Sequence, residues 1–410
     1  MRLVYKIATS SYVSLLKIVS PFNERAKKWL EGRIDSLDIL SKLELKGNVI
    51  WFHCASLGEF EQGKPVMESY MKKNAEWKLV VTFFSPSGYE ARFNYELADL
   101  VLYLPIEKKE YINLFLDKVN PKIAVFVKYE FWFEYMRELN QRSIPMVFIS
   151  STFRANQLFF KWFGTWFLEQ LKPVNFFFVQ EEKSKELLER NHIKQVKVSG
   201  DTRFDRVLET YKKSESFPLL EQFKKDSQII VFGSAWSVET EISINLINKL
   251  PDGWKVIYAP HEINTEEILK YKSKISESSV LFSQLSEKSN LDSKVLIVDT
   301  IGHLARIYKY ADVAVVGGGF IDGIHNILEP LVFGAPVFFG PNHHKFWEAN
   351  LAIENEVGFE FKNQEDLHEK LMPILNHEIN LDKKSASSRG FVKNRVGATK
   401  VILKHLLKLS

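Results

Sequence analysis

The chain has 410 residues, 45% of them hydrophobic and 26% charged, with a formal net charge of +4 at pH 7. That length exceeds one typical core and predicts two domains of roughly 200 residues each. The small net charge, with no zinc-finger, RNA-binding or helix-turn-helix signature, argues against nucleic acid as a partner, and a single cysteine, Cys54, excludes an internal disulfide framework or a multi-cysteine zinc site and fits a reducing compartment.

Residues 1–19 are apolar with Arg2, Lys6 and Lys17 interleaved, and Arg25, Lys27, Lys28 and Arg33 follow against only Glu24 and Glu31. No uninterrupted apolar run approaches the roughly 20 residues of a spanning helix. No small-residue cleavage site follows, which argues against a signal peptide. Two readings stay open: a basic amphipathic helix lying on an anionic membrane surface, or a helix packed on its own domain.

From Asn48 onward, short β-branched and aromatic runs alternate with helical patterns. The runs at 49–55, 79–84, 100–104, 123–127, 146–150 and 176–180 are long enough for buried strands and too short for helices. Between them, Pro65 to Lys73 and Tyr129 to Asn140 have helical spacing. The polar stretch 206–226, with Pro218, predicts an interdomain segment. The strand pattern resumes at 229–233, 255–259, 280–282, 295–299, 313–317 and 336–340, and the chain ends in a basic helical stretch, Val392 to Leu407. Repeated strand-then-helix units predict an α/β protein with two doubly wound, Rossmann-like domains, 1–205 and 227–410, each with a parallel sheet. Strand C-terminal loops rimming a crevice between them are the expected ligand site.

Residues able to do chemistry fall at those strand ends. Strand 49–55 runs into Ser56, Gly58 and Glu59; a carboxylate there can take a proton from a hydroxyl nucleophile, a contribution of typically about 10²- to 10⁴-fold. The competing reading is a helix-capping or solvated glutamate. Ser85 and Ser87 end the next strand and read as an anion site or a plain N-cap. Lys128 and Glu130 follow strand 123–127. Arg203, after a glycine turn, could bridge a phosphate with bidentate bonds or pair with Asp205. In the second half Ser234, Pro260, His261 and Gly302 lie at or just beyond strand ends. Val313 to Val316 runs into Gly317, Gly318 and Gly319, and a helix is predicted from His325 to Phe333, opening on His325, Asn326 and Glu329. Bare backbone beside a helix N-terminus can hold an anion; Asn326 and Glu329 suit sugar hydroxyls. The spacing of His261, His303, His325, His343 and His344 matches no compact ligand motif, so no metal is predicted.

In this order, HCASLGEFEQGKPV, VTFFSPSGYE, PKIAVFVKYEFW, VSGDTRFD and GGGFIDGIHNILEPLVFGAPVFFGP resemble the 3-deoxy-D-manno-octulosonic acid (Kdo) transferases of lipopolysaccharide synthesis, from the N-terminal helix to about Ala349. The resemblance implies a GT-B fold whose two domains face each other across a cleft. The first domain binds the acceptor, a lipid A precursor, and the second binds the donor, CMP-Kdo. It implies inverting transfer to the acceptor's 6'-hydroxyl without cofactor or metal, at the cytoplasmic face of the bacterial inner membrane. On it, Glu59 is the base, Asn326 and Glu329 hold the CMP ribose with Ser234 and Gly302 alongside, and Arg203 replaces a lysine near the donor phosphate. Three departures stand out: Lys128 where the family commonly has a glutamate, Pro260-His261-Glu262 where it usually has Pro-Arg-His, and Ala235 to Glu239 in place of a histidine-glycine-glutamate segment. At its ordinary pKa of about 4.3, Glu59 is expected to be ionised at neutral pH, and domain closure is expected to bring it to the donor. The alternatives are another GT-B nucleotide-sugar enzyme, such as an epimerase, and an inert lipid-A-binding scaffold.

Overall fold

A computed structural model describes residues 1–286, 289–321 and 323–410, so Asp322 of the glycine segment lies outside the described residues. The chain forms two compact units, Met1–Asp205 with Val396–Ser410, and Arg206–Arg395. The first holds β1 (Val49–Cys54), β2 (Lys78–Phe83), β3 (Leu100–Tyr103), β4 (Pro121–Val127), β5 (Met146–Ser151), β6 (Phe176–Val179) and β7 (Val196–Val198). These pair in parallel in the order β3-β2-β1-β4-β5-β6-β7. The second holds β8 (Gln228–Ala235), β9 (Trp254–Pro260), β10 (Ser279–Leu281), β11 (Val295–Ile297), β12 (Val313–Val316), β13 (Val337–Phe339) and β14 (Gly358–Glu360), also parallel, in the order β10-β11-β9-β8-β12-β13-β14. The two doubly wound sheets expected from the alternation are present.

Alternation along each strand feeds cores on both faces, as parallel sheets require. In β1, Trp51 joins Phe126, Phe148 and Phe177 on one side, while Ile50 and Phe52 join Val125 and Val147 on the other. Because β1 lies between β2 and β4, the loops leaving these three strands are neighbours. In the second unit β8 lies between β9 and β12, which gathers the loops after Ala235, Pro260 and Val316 in the same way.

Several boundaries differ from expectation. β7 and β14 have three residues each, too short to show a period. The polar stretch 206–226 is not a linker but most of helix Thr202–Lys213 followed by helix Pro218–Lys224. The latter is fastened to the second unit by Lys224 to Asp312 (2.6 Å) and by the Phe217 N–H donating to the Tyr310 hydroxyl (2.6 Å). The second domain does not run to residue 410. The expected single helix is two: one ends at Lys393, and Gly397, at φ +118°, opens the last helix, Ala398–Leu406, which belongs to the first unit. There Ile402, Leu403 and Leu406 are buried against the face that contains Phe60 and Phe178.

Candidate active site

In the first unit, helix Leu57–Met71 starts where β1 ends, with Ser56 at its N-cap accepting from the Glu59 N–H (3.5 Å). Glu59 lies in the first helical turn, and its carboxylate turns back to accept from the Ala55 N–H. The side chain is buried rather than solvated. Burial pushes its pKa up to about 8; the charge of Glu130 adds to this, while Lys128 and the backbone donors of Ala55 and Ser56 oppose it. The expectation of a carboxylate ionised at neutral pH is therefore corrected: with a pKa of about 8, roughly a tenth is ionised at pH 7.

Glu130 is held by Trp132, whose indole Nε1 donates to its carboxylate (2.8 Å) and to His53 Nε2 (2.9 Å). His53 Nδ1 faces Thr82 Oγ1 at 2.8 Å, and its Nε2 also faces the Glu130 carboxylate at 3.3 Å. Residues 129–132 are not helical as predicted, and the helix begins at Phe133. The strand is left through a turn at Lys128 and Tyr129, with Lys128 held at φ +63°, a left-handed conformation that residues other than glycine rarely adopt. Ser85 precedes helix Pro86–Arg92 without capping it through its side chain; its hydroxyl meets Ser87 Oγ at 3.1 Å. The Ser85 N–H bonds to the Ala55 carbonyl (2.8 Å), so the serine loop abuts the Glu59 turn. Gly88 is part of that fit, since a Cβ there would come 2.5 Å from the Phe83 ring and 3.1 Å from Leu57 N. A Cβ on Gly58 would touch Ser56 Oγ at 4.0 Å, an ordinary contact.

Arg203 is engaged within this unit, and its partner is Asp201 rather than Asp205. Its backbone N–H, Nε and Nη2 donate to the fully buried Asp201 carboxylate at 2.9, 2.9 and 2.7 Å. Gln62 and Gln180 donate to the same carboxylate. Burial pulls the Asp201 pKa upward, but the charge and bonds of Arg203, with Lys128 helping, hold it below the usual carboxylate range. Asp205 is occupied elsewhere, accepting from the Gly397 and Thr399 N–H groups. Sequence reasoning assigned no role to Asp201, although it sits inside the quoted VSGDTRFD segment.

In the second unit, Gly318, at φ +92°, leaves no room for a side chain, since a Cβ would lie 2.5 Å from the Gly323 carbonyl oxygen. Gly319 lies against Gly340 in the same way, at 2.6 Å. The helix that follows begins at Leu328, not His325, and has six residues. Asn326 thus precedes it: its Oδ1 accepts from the Leu328 N–H (3.1 Å) and its Nδ2 donates to Glu329 (3.0 Å). With so short a helix, the expected dipole contribution gives way to these side-chain amide and carboxylate groups.

His325 accepts a bond from Trp236 Nε1 (3.1 Å), and Trp236 stacks on His261 at 4.0 Å between ring centroids. Burial, then the neighbouring His261, pulls His325 down to about 4, so it is neutral at pH 7 with its proton on Nδ1. Glu239 is the residue that sequence reasoning passed over: nearly fully buried, it accepts from the Gly318 N–H (3.0 Å) and the Trp236 N–H (3.1 Å). It ties the glycine loop to the loop after β8. Ser234, at φ +52°, borders the same turn, where a Cβ on Gly317 would meet its carbonyl oxygen at 2.1 Å. Pro260 and His261 line a cavity of about 320 Å³ with Trp236, Thr240 and Tyr258. Gly302 takes φ +91° in open space and is not among the residues lining that cavity.

Residues 28–206 match the family described as 3-deoxy-D-manno-octulosonic-acid transferase (kdotransferase). A 3-deoxy-D-manno-octulosonic acid transferase of Chlamydophila psittaci is 30% identical over 72% of this chain and 70% of its own length. The chain belongs to the Kdo transferase family. A bifunctional glycosyltransferase/methyltransferase of Fusobacterium nucleatum is 25% identical over 99% of this chain, which spans 63% of that protein. Among solved structures, a UDP-GlcNAc 2-epimerase from Neisseria meningitidis aligns over 88% of this chain and all of its own, at TM-score 0.61 and 15% identity. That likeness concerns the fold alone, and it agrees with two Rossmann-like units of GT-B type. Within this Kdo transferase, the segment that departs from the histidine-glycine-glutamate pattern still supplies Glu239 to the glycine loop, and Trp236 occupies space beside His325.

Proposed function

We propose that the chain transfers Kdo from CMP-Kdo to the 6'-hydroxyl of a lipid A precursor, with inversion and without a metal or other cofactor in the reaction. Membership of the family supports the donor and the general acceptor; the observation that carries the mechanism is Glu59, a buried carboxylate on a helix N-terminus beside Ser56, Ser85 and Lys128. As general base it takes the proton of the acceptor hydroxyl, whose oxygen attacks the Kdo anomeric carbon while CMP departs with the bonding pair. Asn326 and Glu329 hold the ribose, and the backbone N–H groups of the glycine loop, with the neutral His325, offer donors to the charge that develops on CMP. Arg203 acts chiefly by fixing Asp201 and leaves only part of its charge for the donor. A base with a pKa near 8 is strong when ionised and well placed for catalysis near neutrality. The work site is the cytoplasmic face of the bacterial inner membrane, where the basic N-terminal segment meets anionic lipid.

The test is product mass after purified protein is incubated with a lipid A precursor and CMP-Kdo or UDP-sugars. Gain of one or more Kdo masses with CMP-Kdo supports the reading; turnover of a UDP-sugar alone would replace it with an epimerase or a different transferase. Binding of the precursor without transfer would favour an inert scaffold. The base has its own readout. Rate should rise with pH toward about 8, and Glu130→Gln, by removing a nearby negative charge, should move that rise to lower pH. An unmoved profile argues against Glu59 as the titrating group.

A further inference from the structure

The loop after β13 carries His343 and His344, and Glu360 ends β14 beside it. Parallel pairing of Phe339 with Glu360 brings the two strand ends together. Among the described residues, His343, His344 and Glu360 form the group whose ligand atoms lie within 4.8 Å of one another. His343 is buried, and its ring is oriented from both sides. Nδ1 faces Asn350 Oδ1 at 3.2 Å, and the Asn350 amide is itself turned by donation from Nδ2 to the His344 carbonyl (3.4 Å). Nε2 faces a carboxylate oxygen of Glu360 at 2.6 Å. At that distance either a ring proton or a metal ion lies between the two atoms, and His344 stands close enough to add a third ligand atom.

We propose that His343 Nε2, a ring nitrogen of His344 and the Glu360 carboxylate bind one divalent transition-metal ion, zinc by preference. Two imidazoles and one carboxylate are a familiar zinc donor set, and a histidine ligand that donates its other N–H to an oxygen has the usual outer-shell support. With bonds of about 2.1 Å in tetrahedral geometry, ligand atoms stand about 3.4 Å apart; Glu360 is not buried and can widen its 2.6 Å contact with His343 to that spacing, and His344 is exposed and free to turn. The site's role is structural. Asn342, next to His343, donates through its backbone to the Gly319 carbonyl (2.8 Å) and through Nδ2 to the Ile321 carbonyl (2.9 Å). A metal that fixes residues 340–346 therefore fixes the outer wall of the glycine loop. Histidine spacing along the chain did not reveal this group, because its third member comes from the next strand of the sheet.

The experiment uses untagged full-length protein, equilibrium dialysis against Zn²⁺ with metal analysis, the visible spectrum after loading with Co²⁺, and thermal unfolding with and without Zn²⁺. The expected result is one tightly held zinc per chain, tetrahedral-type Co²⁺ bands and a higher Tm with metal. His344→Ala and Glu360→Gln should each weaken zinc binding at least about 10-fold and remove the Tm increase while leaving the chain folded. If wild type holds no stoichiometric zinc, or if both variants bind it as wild type does, the proposal is overturned. In the first case the contact is a histidine–carboxylate hydrogen bond. None of these readouts depends on the transfer reaction.

Discussion

At the residue scale, the environment of Glu59 opposes its ionisation, and that has a consequence for stability as well as for rate. A carboxyl with a folded pKa of about 8 and an unfolded one near 4.3 binds more protons folded than unfolded between those values. Its contribution to stability is therefore complete below about pH 4.3 and is lost progressively as the pH rises through about 8. Glu59→Gln keeps the shape without the charge. It should lower the transfer rate by about 10²- to 10⁴-fold and raise the Tm above that of wild type at pH 8, with little difference at pH 4.5. Thermal unfolding of both proteins across that range checks it; parallel curves would falsify the shifted pKa. The position of Glu59 was legible in LGEFEQ, and so was the Asn326–Glu329 pair in HNILE. Its protonation was not, because it comes first from burial in the folded unit and then from Glu130, which acts on it from the end of a different strand. The same holds for Glu239, whose partner Gly318 is 79 positions away in the chain.

Elements built on glycine divide into those that require it and those that tolerate replacement. Gly319 presses on the Gly340 backbone, and backbone on both sides leaves a new Cβ, 2.6 Å away, nowhere to go. Gly390 lies inside helix Leu381–Lys393 with nothing within 4 Å of such a Cβ. Gly319→Ala should therefore cost about 1–3 kcal/mol, whereas Gly390→Ala should gain about 0.5–1 kcal/mol from helix propensity. Denaturant unfolding measures both, and equal signs would contradict the packing described. The strand-and-helix alternation could be read from the chain because buried parallel strands are continuous apolar runs. What escaped were the three-residue strands β7 and β14 and the start of helix Leu328–Phe333. In the latter case Asn326 was counted as helical, although it precedes the helix and its side chain accepts from the Leu328 N–H.

At the scale of the whole molecule, both chain termini are tied to the first unit, with different consequences. Among the described residues no helix is long and apolar enough to cross a membrane. Helix Arg2–Val19 is held by Arg2 to Glu134 (2.7 Å) and by Tyr5 to Glu107, yet none of its residues is buried, and Leu3, Ile7, Leu15 and Ile18 are exposed. Docking on the unit and an outward apolar face thus coexist, and a chain lacking residues 1–20 should float less with anionic vesicles than the full chain; equal flotation would count against a membrane role for this helix. The other terminus closes the unit. Asp205 caps helix Ala398–Leu406 through the Gly397 N–H (2.6 Å), the Thr399 N–H (2.8 Å) and the Thr399 hydroxyl (2.9 Å). The fully buried Ile402 and Leu406 fill the core face shared with Phe60, one residue from Glu59. Loss of the cap in Asp205→Ala should cost about 1–2 kcal/mol, and Ile402→Ala about 2–5 kcal/mol. Since that face underlies the helix that carries Glu59, truncation after Arg395 should lower both the Tm and the transfer rate. A truncated chain with unchanged unfolding would mean that the first unit is complete without its last helix.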